Sequence, residues 1–226
     1  KKTGPTDLVT QMDQQVQKDL VEKITHRYPE DRIFAEENGL RSPISEGSVW
    51  VIDPIDGTNN FVTQKEDFAV MVAYFEDGIG QFGLIYDVMR DHLFYGGGEF
   101  PVYRNEVELT PFVDQPLENF LIASNVGMLE KNDWGMADLG MDSLGIRVYG
   151  SAGISFSKIL SGGILAYFSY IWPWDYAAAA IMGEQLGYTV LNLNGDKPNY
   201  QSVEPIMMVP KVKLTEIQTY LKKGRS

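Results

Sequence analysis

The segment Trp50-Val-Ile-Asp-Pro-Ile-Asp-Gly-Thr58 ends an apolar run in two carboxylates, a proline and a glycine. A strand end armed in this way suits a hard cation. Two like charges three residues apart repel unless something positive lies between them, and divalent ions such as Mg²⁺ prefer carboxylate and carbonyl oxygens. Pro54 keeps Asp53 extended and is expected to end the strand just beyond it, leaving Asp56 in the turn. Gly57 lets the backbone approach a ligand, so that amides near Thr58 can meet an anion at a following helix start.

Glu36, Glu37 and Asp175 also fall at element ends after apolar runs. Singly, each has a plainer reading: Glu36-Glu37 as solvated strand-end charges, Asp175 as an acid favoured in the first turn of a helix. Their occurrence together with the Asp-Pro-Ile-Asp-Gly-Thr turn points to a shared site. Asp13 fits a capping box, Thr10-Gln-Met-Asp13, yet from a helix start it could also lean across to the Thr58 hydroxyl, forming a pair able to orient a water and accept its proton. His26 and His92 have no spacing to a second ligand and read as structural or exposed. Trp172-Pro-Trp174 reads as packing beside an Ala-rich helix, with a substrate wall as the other option. Gly96-Gly-Gly98 lacks the lysine and Ser/Thr of a phosphate loop and is expected to be a flexible hairpin element.

These residues must be positioned by mixed strands and helices. Met12, Val16, Leu20, Val21 and Ile24 form one helical stripe over 10–26, stopped by Tyr28-Pro29. Strands are expected over 32–35 and 48–52, then a meander over 68–75, 80–86 and 92–95, with Glu76-Asp77-Gly78 as a hairpin turn. The second half offers strands over 120–124, 164–170, 188–193 and 206–209 and helices over 151–160, 174–186 and 213–222. A less regular stretch follows Asn125.

Composition narrows the partners. The chain has 226 residues, 44% of them hydrophobic, and a net charge of −12, enough for one large core or two small lobes. That charge argues against broad nucleic-acid binding, and the basic cluster is confined to Lys222, Lys223 and Arg225. No cysteine is present, which removes disulfides, zinc–thiolate sites and thiol nucleophiles and suggests a reducing, cytoplasmic setting. No apolar run approaches a membrane span, and no membrane partner is expected. The chain opens on Lys1-Lys2, and a preceding helix is expected to be missing.

Assembled in order, the motifs are Lys2 with Asp7-Leu-Val-Thr-Gln-Met-Asp13, Ala35-Glu-Glu37, Trp50 to Phe61, Gly150-Ser-Ala152 and Trp174-Asp-Tyr-Ala-Ala178. This set resembles the inositol monophosphatase family of metal-dependent, lithium-sensitive phosphatases, over nearly the whole chain. The resemblance implies an α+β fold, an α-β-α-β-α sandwich like that of fructose-1,6-bisphosphatase, as a single catalytic unit with lobes over about 1–116 and 117–226. It also implies a homodimer. It places one Mg²⁺ at Glu37, Asp53 and the Ile55 carbonyl and a second at Asp53, Asp56 and Asp175, with a third leaning on Glu37. Mn²⁺ or Ca²⁺ are possible occupants. Thr58 and Asp13 would activate the water, Gly57 and Thr58 amides would hold phosphate, Ser151 and Ala152 would face the alcohol, and Lys2 would lie on an opening loop. The implied activity is hydrolysis of inositol monophosphate or a related small polyol or sugar phosphate. Fructose-1,6-bisphosphate or NADP are alternative substrates, and a non-catalytic, transcription-associated binding role is the rival class. The family's inositol-specific members carry a substrate-binding glutamate shortly before Trp-Asp, where this chain has Ser169 as the nearest counterpart.

Overall fold

The computed structural model describes residues 11–223. Lys2, and Thr10 at the expected helix start, lie outside these. The first element, α1 (Gln11–Arg27), leads into β1 (Arg32–Ala35), β2 (Ser48–Asp56) and a six-residue α2 (Thr58–Thr63). β1 and β2 pair in parallel. From β2 the chain meanders antiparallel through β3 (Ala69–Glu76), β4 (Ile79–Asp87), β5 (His92–Gly97), β6 (Phe100–Arg104) and β7 (Val107–Glu108), completing a seven-stranded sheet in sequence order. Asp77 and Gly78 both have positive φ, 47° and 80°. That is the type I′ geometry that lets a two-residue hairpin follow the strand twist.

The second sheet has strand order β11-β12-β10-β8-β9. Its elements are β8 (Leu121–Ser124), α3 (Val126–Glu130), α4 (Met136–Asp142), β9 (Gly145–Arg147), α5 (Ala152–Leu160), β10 (Tyr167–Ile171), α6 (Pro173–Gln185), β11 (Tyr188–Asn192), β12 (Glu204–Pro210) and α7 (Leu214–Lys223). The main core lies between the sheets, where Val49, Val51, Met71, Ala73, Ile85 and Phe94 meet Ile154, Phe156, Ala177, Ala178 and Met182 of α5 and α6. A second core packs Ile122, Phe168, Met207 and Val209 against Met136, Leu139, Ile217 and Leu221. On the outer face of the first sheet, Leu20, Val21 and Ile24 cover Ile33, Ala35 and Ile52. The layers therefore run α1, sheet, α5 and α6, sheet, α4 and α7, an α-β-α-β-α sandwich. Among the described residues no helix is long and apolar enough to cross a membrane.

Some expectations change. The Gly96–Gly98 run does form a hairpin, Gly97 pairing with Phe100 across the turn at Gly98, but a closely packed one: Gly96 and Gly97 end β5 under α6, where a Cβ on Gly97 would lie 2.7 Å from the Ile181 carbonyl oxygen. Gly83 of β4 makes the same allowance, a Cβ there falling 2.4 Å from the Ala178 oxygen. Missing side chains on the strands, with alanines on the helix, let α6 settle onto the sheet and fix the height of Asp175 above it. The α1 stripe is also only half-buried, and Met12 is exposed. The residues that α1 buries fully are Asp13 and Gln17, because its first turns face the site rather than the core.

Candidate active site and metal centre

β2 runs through Pro54 to Asp56 instead of stopping before it. Its register against β3 slips by one residue, Asp53 facing Met71 and Asp56 facing Ala69. A proline, having no N–H to give a ladder, is tolerated at such a bulge. In a regular strand, residues three apart point to opposite faces. The extra residue turns Asp56 back, so both carboxylates reach one side. Asp175, from the first turn of α6, joins them, and one oxygen from each of the three lies within 4.8 Å of the others.

Each carboxylate is held differently. Asp56 Oδ1 accepts the Ala152 N–H at 3.0 Å, and Oδ2 accepts the Gly153 N–H at 2.7 Å and the Ser151 hydroxyl in a short bond. Ser151 also caps α5, its Oγ accepting from Ile154 N at 3.1 Å. Ser151 and Ala152, expected opposite the alcohol, are thus both buried and both donors to Asp56. Asp175 Oδ2 accepts the Trp172 N–H at 2.7 Å. Asp53 Oδ1 is buried and meets no hydrogen-bond partner.

Burial, reinforced by neighbouring charge, makes this a site that wants protons or cations. Asp53 is pushed well above the usual carboxylate range by desolvation first, then by Glu36, Asp56 and Asp175. Asp56 is also raised by burial, against the pull of Ser151, Gly153 and Ala152. Asp175 is pushed up to about 8, by burial first and by the Asp56 charge second. An orphaned buried oxygen within a crowded acidic group fits a divalent cation, whose charge would reverse each of these penalties.

The pair expected to activate water is also brought together. The Thr58 hydroxyl lies 3.3 Å from Asp13 Oδ1 and 3.2 Å from the Ile55 carbonyl oxygen. Gly57 is left-handed at φ 87°, and a Cβ there would fall 2.9 Å from Ser151 Cβ, so it serves the turn and the seating of α5 together. Glu37 is buried but does not belong to the compact group of three. Its backbone is clamped by Gln17, whose Nε2 donates to Glu37 O and whose Oε1 accepts from Glu37 N, both at 2.8 Å. Asn60 likewise ties α2 to the loop leading into α5, donating to Tyr149 O at 2.7 Å, and to the segment before β3, donating to Asp67 O at 2.9 Å. Sequence reasoning missed Gln17, Asn60 and Gly153. A glutamine four residues after Asp13, on the same helix face, was the available signal for the first.

The inositol monophosphatase family profile matches residues 1–224. The chain belongs to the inositol monophosphatase family. Over 201 residues it is 37% identical to the inositol-1-monophosphatase of Bacillus subtilis (strain 168), covering 86% of this chain and 76% of the relative. Inositol monophosphatase-II from Staphylococcus aureus MSSA476 superposes with a TM-score of 0.88 at 31% identity, over 97% of this chain and 84% of that one. An IMPase/NADP phosphatase complexed with Mg²⁺ and phosphate gives a TM-score of 0.88 at 26% identity, over 97% and 84%. Members of this family are phosphomonoesterases, and the layered α+β fold is theirs.

Within this family member, Ser169 lies on β10 shortly before α6, and Trp172 directly precedes that helix. Ser169 is buried and accepts from Asn125 Nδ2 at 3.1 Å. The Asn125 amide is oriented by its other duty, capping α3 through an Oδ1 bond from Met128 N at 2.9 Å. Both histidines lie elsewhere: His26 is exposed at the end of α1, and His92 packs edge-on to Phe94.

Proposed function

We propose that this chain is a Mg²⁺-dependent phosphomonoesterase that hydrolyses inositol monophosphate, or a related small polyol or sugar phosphate, by direct attack of water. The observation that carries the reading is the convergence of Asp53, Asp56 and Asp175 within 4.8 Å with a buried, partnerless oxygen on Asp53. These three, with Glu37 and the Ile55 carbonyl, would hold two or three Mg²⁺, and Mn²⁺ or Ca²⁺ suit the same oxygens. When bound, such cations supply the charge that acidifies a water and neutralises the ester phosphate.

The protein's own part is orientation and proton handling. The Thr58 hydroxyl donates toward Asp13 and Ile55 O, which leaves its lone pairs for a water O–H. Asp13, fully buried, is the final proton acceptor. The Gly57 and Thr58 amides hold phosphate oxygens at the turn, and Ser151 and Ala152 fix Asp56. A cytoplasmic homodimer belongs to the same reading, on the family resemblance alone. Ser169 favours a second reading on substrate, since it offers no ionised acceptor to a polyol hydroxyl. That observation brings NADP or fructose-1,6-bisphosphate into the panel. A macromolecule-binding protein without turnover is the rival.

Phosphate release from a panel of phosphomonoesters, with Mg²⁺ and with EDTA, tests this reading alongside Asp53→Asn. Turnover is expected only with Mg²⁺ and is expected to be lost in the folded variant. Wild-type rates from a folded Asp53→Asn protein would refute the assignment, and no turnover on any ester would favour the binding role.

A further inference from the structure

The loop between α2 and β3 keeps two residues in left-handed backbone, Lys65 at φ 59° and Asp67 at φ 49°. Neither is a glycine, and residues with a side chain seldom stay in that region without support. At Asp67 the support reaches both the side chain and the main chain. Arg90 Nη2 donates to Asp67 Oδ1 at 2.8 Å. Arg90 is in turn seated on Asp87, whose Oδ2 accepts from Nη1 at 3.1 Å. Asp87 is buried at the end of β4, opposite Ala69 of β3, so the tether runs from the sheet to the loop. One planar guanidinium spanning two carboxylates fixes direction as well as distance.

The main-chain oxygen of Asp67 lies against the turn of the site. It accepts from Asn60 Nδ2 at 2.9 Å, and a Cβ added to Gly57 would fall 3.1 Å from it. Gly57 and Asn60 bracket Thr58, whose hydroxyl meets Asp13 and the Ile55 carbonyl. The loop therefore backs the segment that carries Thr58. Behind it, Phe68 is buried and meets Phe61 of α2 edge-on at 5.0 Å. The carboxylates are held from elsewhere: Asp56 by Ser151, Ala152 and Gly153, and Asp175 by the Trp172 N–H.

We infer that Asp67, tethered by Arg90, is a positioning residue for hydrolysis: it sets the place of the Gly57–Thr58 turn, and through that turn the attacking water and the phosphate, without contributing to cation binding. This rests on the phosphatase reading and adds to it a residue that none of the sequence motifs contains. Attack on phosphorus depends steeply on alignment, and a misplacement of about 1 Å costs on the order of 10²-fold in rate. A strained loop that slackens by a fraction of that distance is enough to be read in kinetics.

The test measures kcat/KM on inositol 1-phosphate and glycerol 2-phosphate, and Mg²⁺ binding to the metal-free protein by calorimetry, for the wild type, Asp67→Asn, Asp67→Gly and Asp67→Ala. Asparagine tolerates left-handed backbone and keeps an oxygen for Arg90. Glycine adopts the same φ freely but drops the tether, and alanine loses both. Asp67→Asn is expected to stay near wild type, Asp67→Gly to lose roughly 3- to 30-fold in kcat/KM, and Asp67→Ala to lose more, all with an unchanged Mg²⁺ dissociation constant. Thermal melting checks folding, and because glycine fits the observed φ, Asp67→Gly decides the matter even if Asp67→Ala does not fold. Wild-type kcat/KM in folded Asp67→Gly, an equal loss in Asp67→Asn, or a loss of Mg²⁺ affinity matching the loss of activity would each overturn the inference while leaving the phosphatase reading intact. No phosphate release by the wild type from any ester overturns both.

Discussion

Asp175→Asn is expected to make the metal-free protein more stable and the Mg²⁺-loaded protein less stable. The substitution keeps shape and a carbonyl oxygen for the Trp172 N–H, so what it removes is charge. Two carboxylates within 4.8 Å repel by about 3 kcal/mol at an effective dielectric of about 20, and Asp175 stands against two of them. The metal-free fold escapes part of this by holding a proton, with Asp175 pushed up to about 8. A folded-state pKa raised above the unfolded one means that stability is fully present below the unfolded value, near 3.8, and is lost as pH rises towards about 8. Removing the charge returns roughly 1–3 kcal/mol near neutral pH, less a few tenths for the lost favourable interaction with the start of α6. At about 2–4 °C per kcal/mol for a chain of this size, the variant melts roughly 3–10 °C above wild type in EDTA at pH 8, with the gap closing near pH 4. Saturating Mg²⁺ raises the wild type by about 2.7 kcal/mol at a hundredfold excess over Kd and raises the variant far less, reversing the order. Differential scanning calorimetry at both pH values, with EDTA and with Mg²⁺, reads all four states. A metal-free variant that melts below wild type at pH 8, or that keeps the full Mg²⁺ shift, refutes the argument that these charges are held together for a cation.

Three further outcomes are expected. Gly153→Ala places a Cβ 2.8 Å from Ala69 Cβ and 3.0 Å from Asp56 Oδ2, so it lifts α5 off β3 and costs about 1–3 kcal/mol; chemical denaturation measures this, and an unchanged midpoint counts against the packing account. Gln17→Leu leaves the Glu37 N–H and C=O without their side-chain partner, at a cost of about 2 kcal/mol, and is expected to raise the Mg²⁺ concentration needed for half-maximal turnover; a metal titration of activity checks it. Millimolar Li⁺ is expected to inhibit phosphate release, as the family resemblance implies, and full activity in its presence would count against carrying that property over.

Much of the site could be read from short motifs because its carboxylates sit where apolar runs stop. The Asp53 to Thr58 turn, Glu37 and Asp175 are each local in sequence, and their residue types speak for hard-cation chemistry. The bulge at Pro54 was not legible: a proline after a strand reads as a stop, and only the pairing with β3 shows that the ladder resumes at Asp56. Gln17 is one polar residue among several on α1, marked only by its spacing from Asp13. Its burial follows from α1 crossing the end of β2, a contact between segments that no local pattern records. Gly96–Gly98 read as flexible because glycine is flexible in isolation, yet in the fold the missing side chains serve close packing under α6.

The amino-acid sequence by itself determined most of the longer elements, the class of chemistry and the residue types gathered at the site, since hydrophobic period and strand-end carboxylates are local properties. Tertiary structure decided which carboxylates come together, that Ser151 and Ala152 hold Asp56, and that Trp172 stays exposed while Trp174 is buried. These outcomes depend on distances between segments brought together only when α5 and α6 settle between the sheets, where burial turns ordinary aspartates into groups that need a proton or a cation.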